Sequence, residues 1–322
     1  MSDLKKLKVL VTPTSYGKCD QDLIAYLENQ VGKVIYNRTG RPLNQDELIE
    51  MIAEVDGCIA GLDEYNQEVF NTAKNLKVIS RYGVGVDNVD LEAARKRGVV
   101  ITNTPGANSS SVAELTILLI LLLSRQVCQA HEKMKNGEWP RLNGLGLEDK
   151  TVGIIGLGAI GKLVAERLSG FKCKILACDI AQMNLKSNHL LIRMVNLDTL
   201  LAQSDLVTLH IPVTSKTRNL VDGHFLRKMK TGAFIINTAR GELIDEKALI
   251  EALENKTISG AALDSFQEQP LPKDHPFLGL SQVITTPHMG AHTDTAIRAM
   301  GWTSTKDCLA VLKGEKPGFP VS

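Results

Sequence analysis

The chain has 322 residues, with 37 Lys and Arg against 36 Asp and Glu and a net charge of +1 at pH 7. That length carries two ordinary domains, each with its own core, and the even charge argues against a broad nucleic-acid face. With 43% hydrophobic residues the composition is not that of a disordered chain, and no apolar run reaches the ~20 residues of a membrane span.

Short β-branched strands alternate with helical segments, the pattern of parallel sheets covered by helices. A strand at Lys8–Val11 leads into a turn (Thr12–Gly17) and a helix over about Asp20–Gln30. Further strands are predicted at Val34–Tyr36, Gly57–Ala60, Val78–Ser80 and Val99–Thr102, completing one α/β unit. The lysine-bearing N-terminus reads as this first strand, not as a signal peptide. Ser111-Val-Ala-Glu114 has the spacing of a capping box, opening a helix from Val112 to about Arg125 that is apolar nearly all round. That helix is expected in a core, as the hinge between domains. Residues 137–149, rich in Gly and Pro, read as an exposed loop or arm.

A second α/β unit begins at Thr151, with strands predicted at Val152–Ile155, Lys174–Cys178, Leu206–Leu209, Ala233–Asn237, Ala261–Leu263 and Val283–Thr286. A closing helix, Thr293–Lys313, is expected to stop at Gly314. The cysteines at 19, 58, 128, 173, 178 and 308 form no CxxC pair and no metal-like cluster. They read as reduced, mostly buried thiols of a cytoplasmic protein, with no metal site.

The sharpest motif is Gly156-Leu-Gly158-Ala159-Ile160-Gly161, between a strand and a helix. In that setting the first glycine makes a tight turn, the second admits a pyrophosphate to the backbone, and the third permits helix–strand contact. Asp179 ends the next strand, where a carboxylate accepts hydrogen bonds from ribose hydroxyls and repels a 2′-phosphate, so NAD is favoured over NADP. Ligands of open α/β sheets sit beyond the carboxyl ends of the strands. Three strands of the second unit are followed there by Arg240, Asp264 and Pro287-His288, and a fourth by His210. A guanidinium grips a carboxylate and polarises a carbonyl. A histidine exchanges a proton near neutral pH. Asp264 is a candidate for the nicotinamide amide, and His210 for lining the cofactor.

These residues carry a resemblance to the D-isomer-specific 2-hydroxyacid dehydrogenase family over nearly the whole chain. The matching segments are Arg81-Tyr-Gly-Val-Gly-Val-Asp-Asn-Val-Asp90, Thr102-Asn-Thr-Pro-Gly106 with Asn108, Ser111-Val-Ala-Glu114, the glycine loop, Leu209-His-Ile-Pro-Val-Thr214, Asn237-Thr-Ala-Arg-Gly241, Gly260-Ala-Ala-Leu-Asp264 and Pro287-His288. The resemblance implies two Rossmann-like, doubly wound parallel-sheet α/β domains with a cleft between them. It implies a discontinuous substrate domain (1–103 and 291–322), an NAD-binding domain (104–290) and a homodimer. By that analogy Arg240 and the backbone of Val84 and Gly85 hold a substrate carboxylate, and Arg81 and Asn108 lie near the substrate. Arg141 is expected to reach the partner's cleft. The cofactor would lie against the glycine-loop residues Gly156, Gly158, Ala159, Ile160 and Gly161, and against Asp179, His210, Pro212, Thr217, Thr238, Ala239 and Asp264. The chain's end soon after the second unit gives the expectation that the regulatory domain of some phosphoglycerate dehydrogenases is absent.

Two departures stand out. The family pairs its catalytic His with a Glu just before a proline, and here that residue is Gln269. Glutamine orients an imidazole without adding charge, so His288 is expected to titrate lower than in relatives with Glu. Glu268 is the alternative partner. NAD-dependent formate dehydrogenases of the family also use Gln there, which keeps formate oxidation as an alternative. Secondly, an Arg that grips phosphate in many phosphoglycerate enzymes is missing from Ile59-Ala-Gly-Leu62. The expected activity is hydride transfer between NAD and a small 2-hydroxy or 2-keto acid. Phosphoglycerate/phosphohydroxypyruvate leads, with glyoxylate, hydroxypyruvate and other anionic keto acids next. A non-catalytic NAD(H)-sensing regulator is the alternative of another class.

Overall fold

The computed structural model describes residues 4–181 and 191–321. The chain divides into two compact units. The first runs to Asn108 and resumes at Ala291, and the second is Ser109–Gly290.

The first unit is built on five parallel strands: β1 (Lys8–Val11), β2 (Lys33–Tyr36), β3 (Gly57–Ala60), β4 (Val78–Arg81) and β5 (Val100–Thr102). Their order is β2-β1-β3-β4-β5. The period-2 alternation of β1 sorts its side chains between two layers. Val9 and Val11 pack with Leu23 and Leu27 of the helix Gln21–Gln30 and with Met300, Leu309 and Leu312 of the closing helix Asp294–Lys313. Leu10 packs on the other face with Leu48 and Ile52, Val69 and Phe70, and Ala93 and Ala94, from three further helices. The closing helix starts at a Thr293 cap and ends at Gly314 with φ 80°, as its sequence predicts.

The second unit holds seven parallel strands: β6 (Thr151–Ile155), β7 (Lys174–Cys178), β8 (Ile192–Met194), β9 (Leu206–Leu209), β10 (Phe234–Asn237), β11 (Gly260–Leu263) and β12 (Val283–Thr285). Their order is β12-β11-β10-β9-β6-β7-β8. The chain runs outward from β6 to β8, then returns to build β9–β12 on the other side. The switch point therefore lies between β6 and β9, where nucleotides bind in such sheets. The helix Ser109–Ser124 covers one face through Ala113, Leu119, Ile120 and Leu123, which pack with Val152, Ile154, Ile236 and Ala262.

Among the cysteines only Cys58 and Cys308 are buried, fewer than expected. An edge strand and a surface helix are among the elements not named from sequence. β8 is a three-residue edge strand with no buried residue, and the helix Val127–Lys135 buries none of its side chains either, so neither leaves an apolar period to read. The expected capping box is corrected. The helix begins at Ser109, which puts Ser111 inside its first turn, and the Glu114 carboxylate accepts from Ser110 Oγ at 3.1 Å instead. No single described helix is long and apolar enough to cross a membrane. Ser109–Ser124 and Val127–Lys135 reach that length only as a pair bent by 62°.

Candidate active site

The glycine loop follows β6 directly. Gly156 has φ 92°, and a side chain there would strike Ile211 and the His210 carbonyl. A Cβ on Gly161 would collide with the Gly156 carbonyl, so the helix Ala159–Ser169 sits hard against the loop. Gly158 has open space where its Cβ would be, and it caps the helix without any side-chain acceptor. The first N–H groups of that helix, at Ala159 and Ile160, thus face a space without a protein cap, which suits a phosphate. Asp179 fixes the loop from β7: its carboxylate accepts from Leu157 N at 2.7 Å and from Ala181 N at 2.8 Å. Each oxygen retains a lone pair for a ribose hydroxyl.

His210 ends β9 beside this loop. Its Nε2 pairs with Thr208 Oγ1 at 3.0 Å, while its buried Nδ1 meets no partner among the described residues. Burial pushes this imidazole down to about 3, so the ring is neutral. An orphaned buried nitrogen at the switch point is the kind of group a bound cofactor satisfies. Thr217 closes the next turn, donating to Pro212 O at 2.7 Å and accepting from Thr214 N at 2.7 Å. The residues present therefore fit a dinucleotide.

The adjacent strands β10, β11 and β12 carry the candidate residues Arg240, Asp264 and His288 beyond their carboxyl ends. After β12, His288 Nδ1 lies 2.8 Å from Gln269 Oε1. The Gln269 amide nitrogen donates to Phe266 O at 3.1 Å, which turns its oxygen toward the ring. With the glutamine oxygen as acceptor, Nδ1 carries a proton as donor. Gln269, and not Glu268, makes this contact. His288 itself has φ 50°, a left-handed conformation that costs a non-glycine residue about 1–2 kcal/mol. Asp264 holds the loop in that shape. This carboxylate is 1% exposed and accepts from Thr286 Oγ1 at 2.6 Å, Met289 N at 2.9 Å and Gly290 N at 2.8 Å. The structure thus turns Asp264 toward the histidine loop.

After β10, Asn237 closes a turn that presents Arg240. Its amide donates to Arg240 O at 2.7 Å and its oxygen accepts from Ala239 N at 3.0 Å. Arg240 Nη1 donates to Ala239 O at 2.8 Å. Thr238 pairs with Thr116 Oγ1 at 2.9 Å, which ties the turn to the helix beneath it. A side chain on Gly241 would clash with the carbonyl of Phe266, so the Arg240 turn abuts the Phe266–Gln269 segment. Asn237, Thr116 and Thr286 were not singled out from sequence. The one available signal was a wholly buried asparagine inside an apolar strand run, where asparagine is depleted.

In the first unit, Arg81 is 3% exposed, and its guanidinium donates to the carbonyls of Ala60, Gly61 and Gly85. It braces a loop. Gly83 O accepts from Thr104 N, Val84 O from Asn103 Nδ2 and Gly85 O from Arg81 Nε. With three consecutive carbonyls tied to protein, the Val84 and Gly85 amides meet no acceptor among the described residues. Asn108 has a buried Oδ1 with no partner among the described residues. Arg141 is exposed in the irregular segment after Val127–Lys135, near Trp139, which is 78% exposed. Among the described residues no group of His, Cys, Asp and Glu is gathered as a metal would require.

A nucleotide loop at the switch point, with Arg and His on the same strand edge, defines a nicotinamide-dependent oxidoreductase. The family described as "D-isomer specific 2-hydroxyacid dehydrogenase, NAD binding domain" matches residues 117–290. The chain is 40% identical over 292 residues to a glyoxylate reductase of Thermofilum pendens, covering 88% of this chain and 86% of that one. It is 41% identical over 313 residues to a D-3-phosphoglycerate dehydrogenase of Methanocaldococcus jannaschii, covering 96% of this chain but 58% of that longer one. An NAD-dependent formate dehydrogenase of Staphylococcus aureus, solved with NAD, superposes with a TM-score of 0.87 at 29% identity, covering 98% and 99% of the two chains. The chain belongs to the D-isomer-specific 2-hydroxyacid dehydrogenase family. It is an NAD-dependent enzyme that moves a hydride between nicotinamide and a small 2-hydroxy or 2-keto acid.

Proposed function

We propose that the enzyme reduces a small 2-keto acid, with His288 as acid–base, Gln269 as its orienting partner and Arg240 as the carboxylate and carbonyl ligand. The observation that carries this is the His288–Gln269 hydrogen bond of 2.8 Å, which supports Nδ1 as the anchored nitrogen and so Nε2 as the one for proton exchange. Bound NADH supplies the hydride. His288 delivers its Nε2 proton to the oxygen that becomes the alcohol, and takes one back in the reverse direction. Arg240 steadies the substrate carboxylate and draws charge from the carbonyl. The Val84 and Gly85 amides receive the carboxylate, with Arg81 acting through the loop it braces and Asn108 offering its amide to the substrate. Ser109–Gly290 is the NAD-binding domain, holding the cofactor on the glycine loop, Asp179, His210, Pro212, Thr217, Thr238, Ala239 and Asp264. The discontinuous unit is the substrate domain.

Substrates without phosphate are favoured. The stretch after β3 is Gly61-Leu62-Asp63, where Asp63 is 2% exposed, and Arg81 is committed to carbonyls. A loop without a cation offers a second anionic group no partner. The enzyme acts as a homodimer in the cytoplasm. In support, Leu118, Val127, Met134 and Trp139 are 49%, 45%, 47% and 78% exposed along two successive helices and the arm after them, and the cysteines are free. Arg141 on that arm serves the partner's site.

The test is the rate of NADH oxidation with glyoxylate, hydroxypyruvate, pyruvate and phosphohydroxypyruvate, beside NAD reduction by formate. Turnover is expected with the phosphate-free keto acids. Formate oxidation without keto-acid reduction would replace this reading, and a clear preference for phosphohydroxypyruvate would overturn the choice of substrate.

A further inference from the structure

We propose that Ser111 is a positioning residue for His288, acting through the carbonyl of Gly290. This rests on His288 being the acid–base group.

Ser111 has the spacing of a helix cap but does not cap. It lies inside the first turn of Ser109–Ser124, 4% exposed, and its hydroxyl donates to Gly290 O at 2.6 Å. Gly290 is also held through its amide, which donates to Asp264 Oδ2 at 2.8 Å. The peptide groups on either side of this residue are therefore gripped from two different elements, the helix and the end of β11. Asp264 also takes Met289 N and Thr286 Oγ1. His288 lies between these anchors, with its amide turned back to Thr286 O at 2.9 Å.

The anchoring has a purpose because His288 sits at φ 50°. A left-handed conformation in a non-glycine residue persists only where its surroundings over-determine it. The side chain direction follows from that backbone, and the Nδ1–Gln269 bond depends on the direction. Losing the serine hydroxyl frees one end of the loop and leaves a buried carbonyl without its donor. The loop can then relax toward ordinary φ, carrying the imidazole off its partner. A proton donor displaced by about 1 Å loses up to ~100-fold in rate.

The experiment is a double-mutant cycle in the full chain, read by keto-acid reduction, by NADH binding and by the imidazole proton signals of His288. In Ser111→Ala, kcat should fall about tenfold. NADH affinity should hold within about twofold, because the hydrogen bond that Ser111 Oγ makes goes to Gly290 and not to the glycine loop. The hydrogen-bonded Nδ1–H resonance, assigned by its loss in Gln269→Ala, should broaden or vanish, and Ser111→Thr should restore it with the rate. In a His288→Asn background, Ser111→Ala should cost less than about twofold more. An equal tenfold cost in both backgrounds, or an unchanged Nδ1–H signal in Ser111→Ala, overturns the proposal. If Ser111→Ala does not fold, Thr286→Val loosens the same loop from the Asp264 side and enters the same cycle. If His288→Asn alone leaves kcat intact, the proposed acid–base role falls, and the Nδ1–H signal still decides the positioning role.

Discussion

The carboxyl edges of the two sheets solve recognition in opposite ways. In the five-stranded unit the one arginine of the β4 loop, Arg81, is buried and spends its donors on main-chain carbonyls, so what the loop offers is backbone N–H. In the seven-stranded unit the backbone is the part held down, by Asn237 and Asp264, and side chains are presented: Arg240 and His288. Similar strand–helix scaffolds thus give one edge suited to gripping an anion and one suited to moving a proton. In both units buried polar side chains brace the main chain; the difference lies in what the braced loop presents, its own amides in one and side chains in the other.

That contrast is broken or sharpened by substitution. The largest effect is expected for His288→Asn, which keeps a residue tolerant of left-handed φ but removes the exchangeable proton. The kcat for keto-acid reduction should fall about 10³-fold, while NADH binding is unchanged. Arg240→Lys should lower kcat/KM roughly 10- to 100-fold, because an ammonium cannot reproduce the planar fork. In the other unit, Arg81→Lys loses the multiple carbonyl contacts and should raise KM for the keto acid about tenfold with a smaller change in kcat, the signature of loosened backbone recognition. Val84→Ala, in the same loop, should change kcat/KM by less than about twofold, since only its amide is used. An effect of Val84→Ala as large as that of Arg81→Lys would refute recognition by backbone there.

The smallest effect concerns His210. Its folded value lies near 3, below its ordinary 6.5. The folded state excludes the proton, so this residue costs nothing above pH 6.5 and costs stability progressively as pH falls from 6.5 toward 3. A His210→Asn variant should lose part of its parent's acid sensitivity in that window, measured by thermal unfolding at a series of pH values.

Much of this was legible in the sequence. Strands β3, β7 and β9 appear at their predicted bounds because buried parallel strands read as short apolar runs between turn residues. The glycine loop was legible because its motif is compact, and Gly156 and Gly161 answer steric demands that a side chain would violate. The braces were not. Ser111 matched a cap motif locally, but its partner Gly290 is far along the chain, and no spacing rule joins them. For a similar reason the bracing contacts of Asp264 with Thr286, Met289 and Gly290 could not be read ahead: they exist only once β11 and β12 are paired. The resemblance places Arg81 near the substrate, but the sequence does not show the carbonyls of Ala60, Gly61 and Gly85 to which it donates.

The pairing of His288 with an uncharged partner, Gln269, is the centre of the account, and one pH series tests it most directly. The rate of keto-acid reduction should be measured across pH for the wild type and for Gln269→Glu. A carboxylate at 2.8 Å from Nδ1 would stabilise the imidazolium, so the alkaline limb of the variant should move to higher pH by about one pH unit or more. Superimposable profiles would show that residue 269 does not face the proton-exchanging group, and would contradict the account.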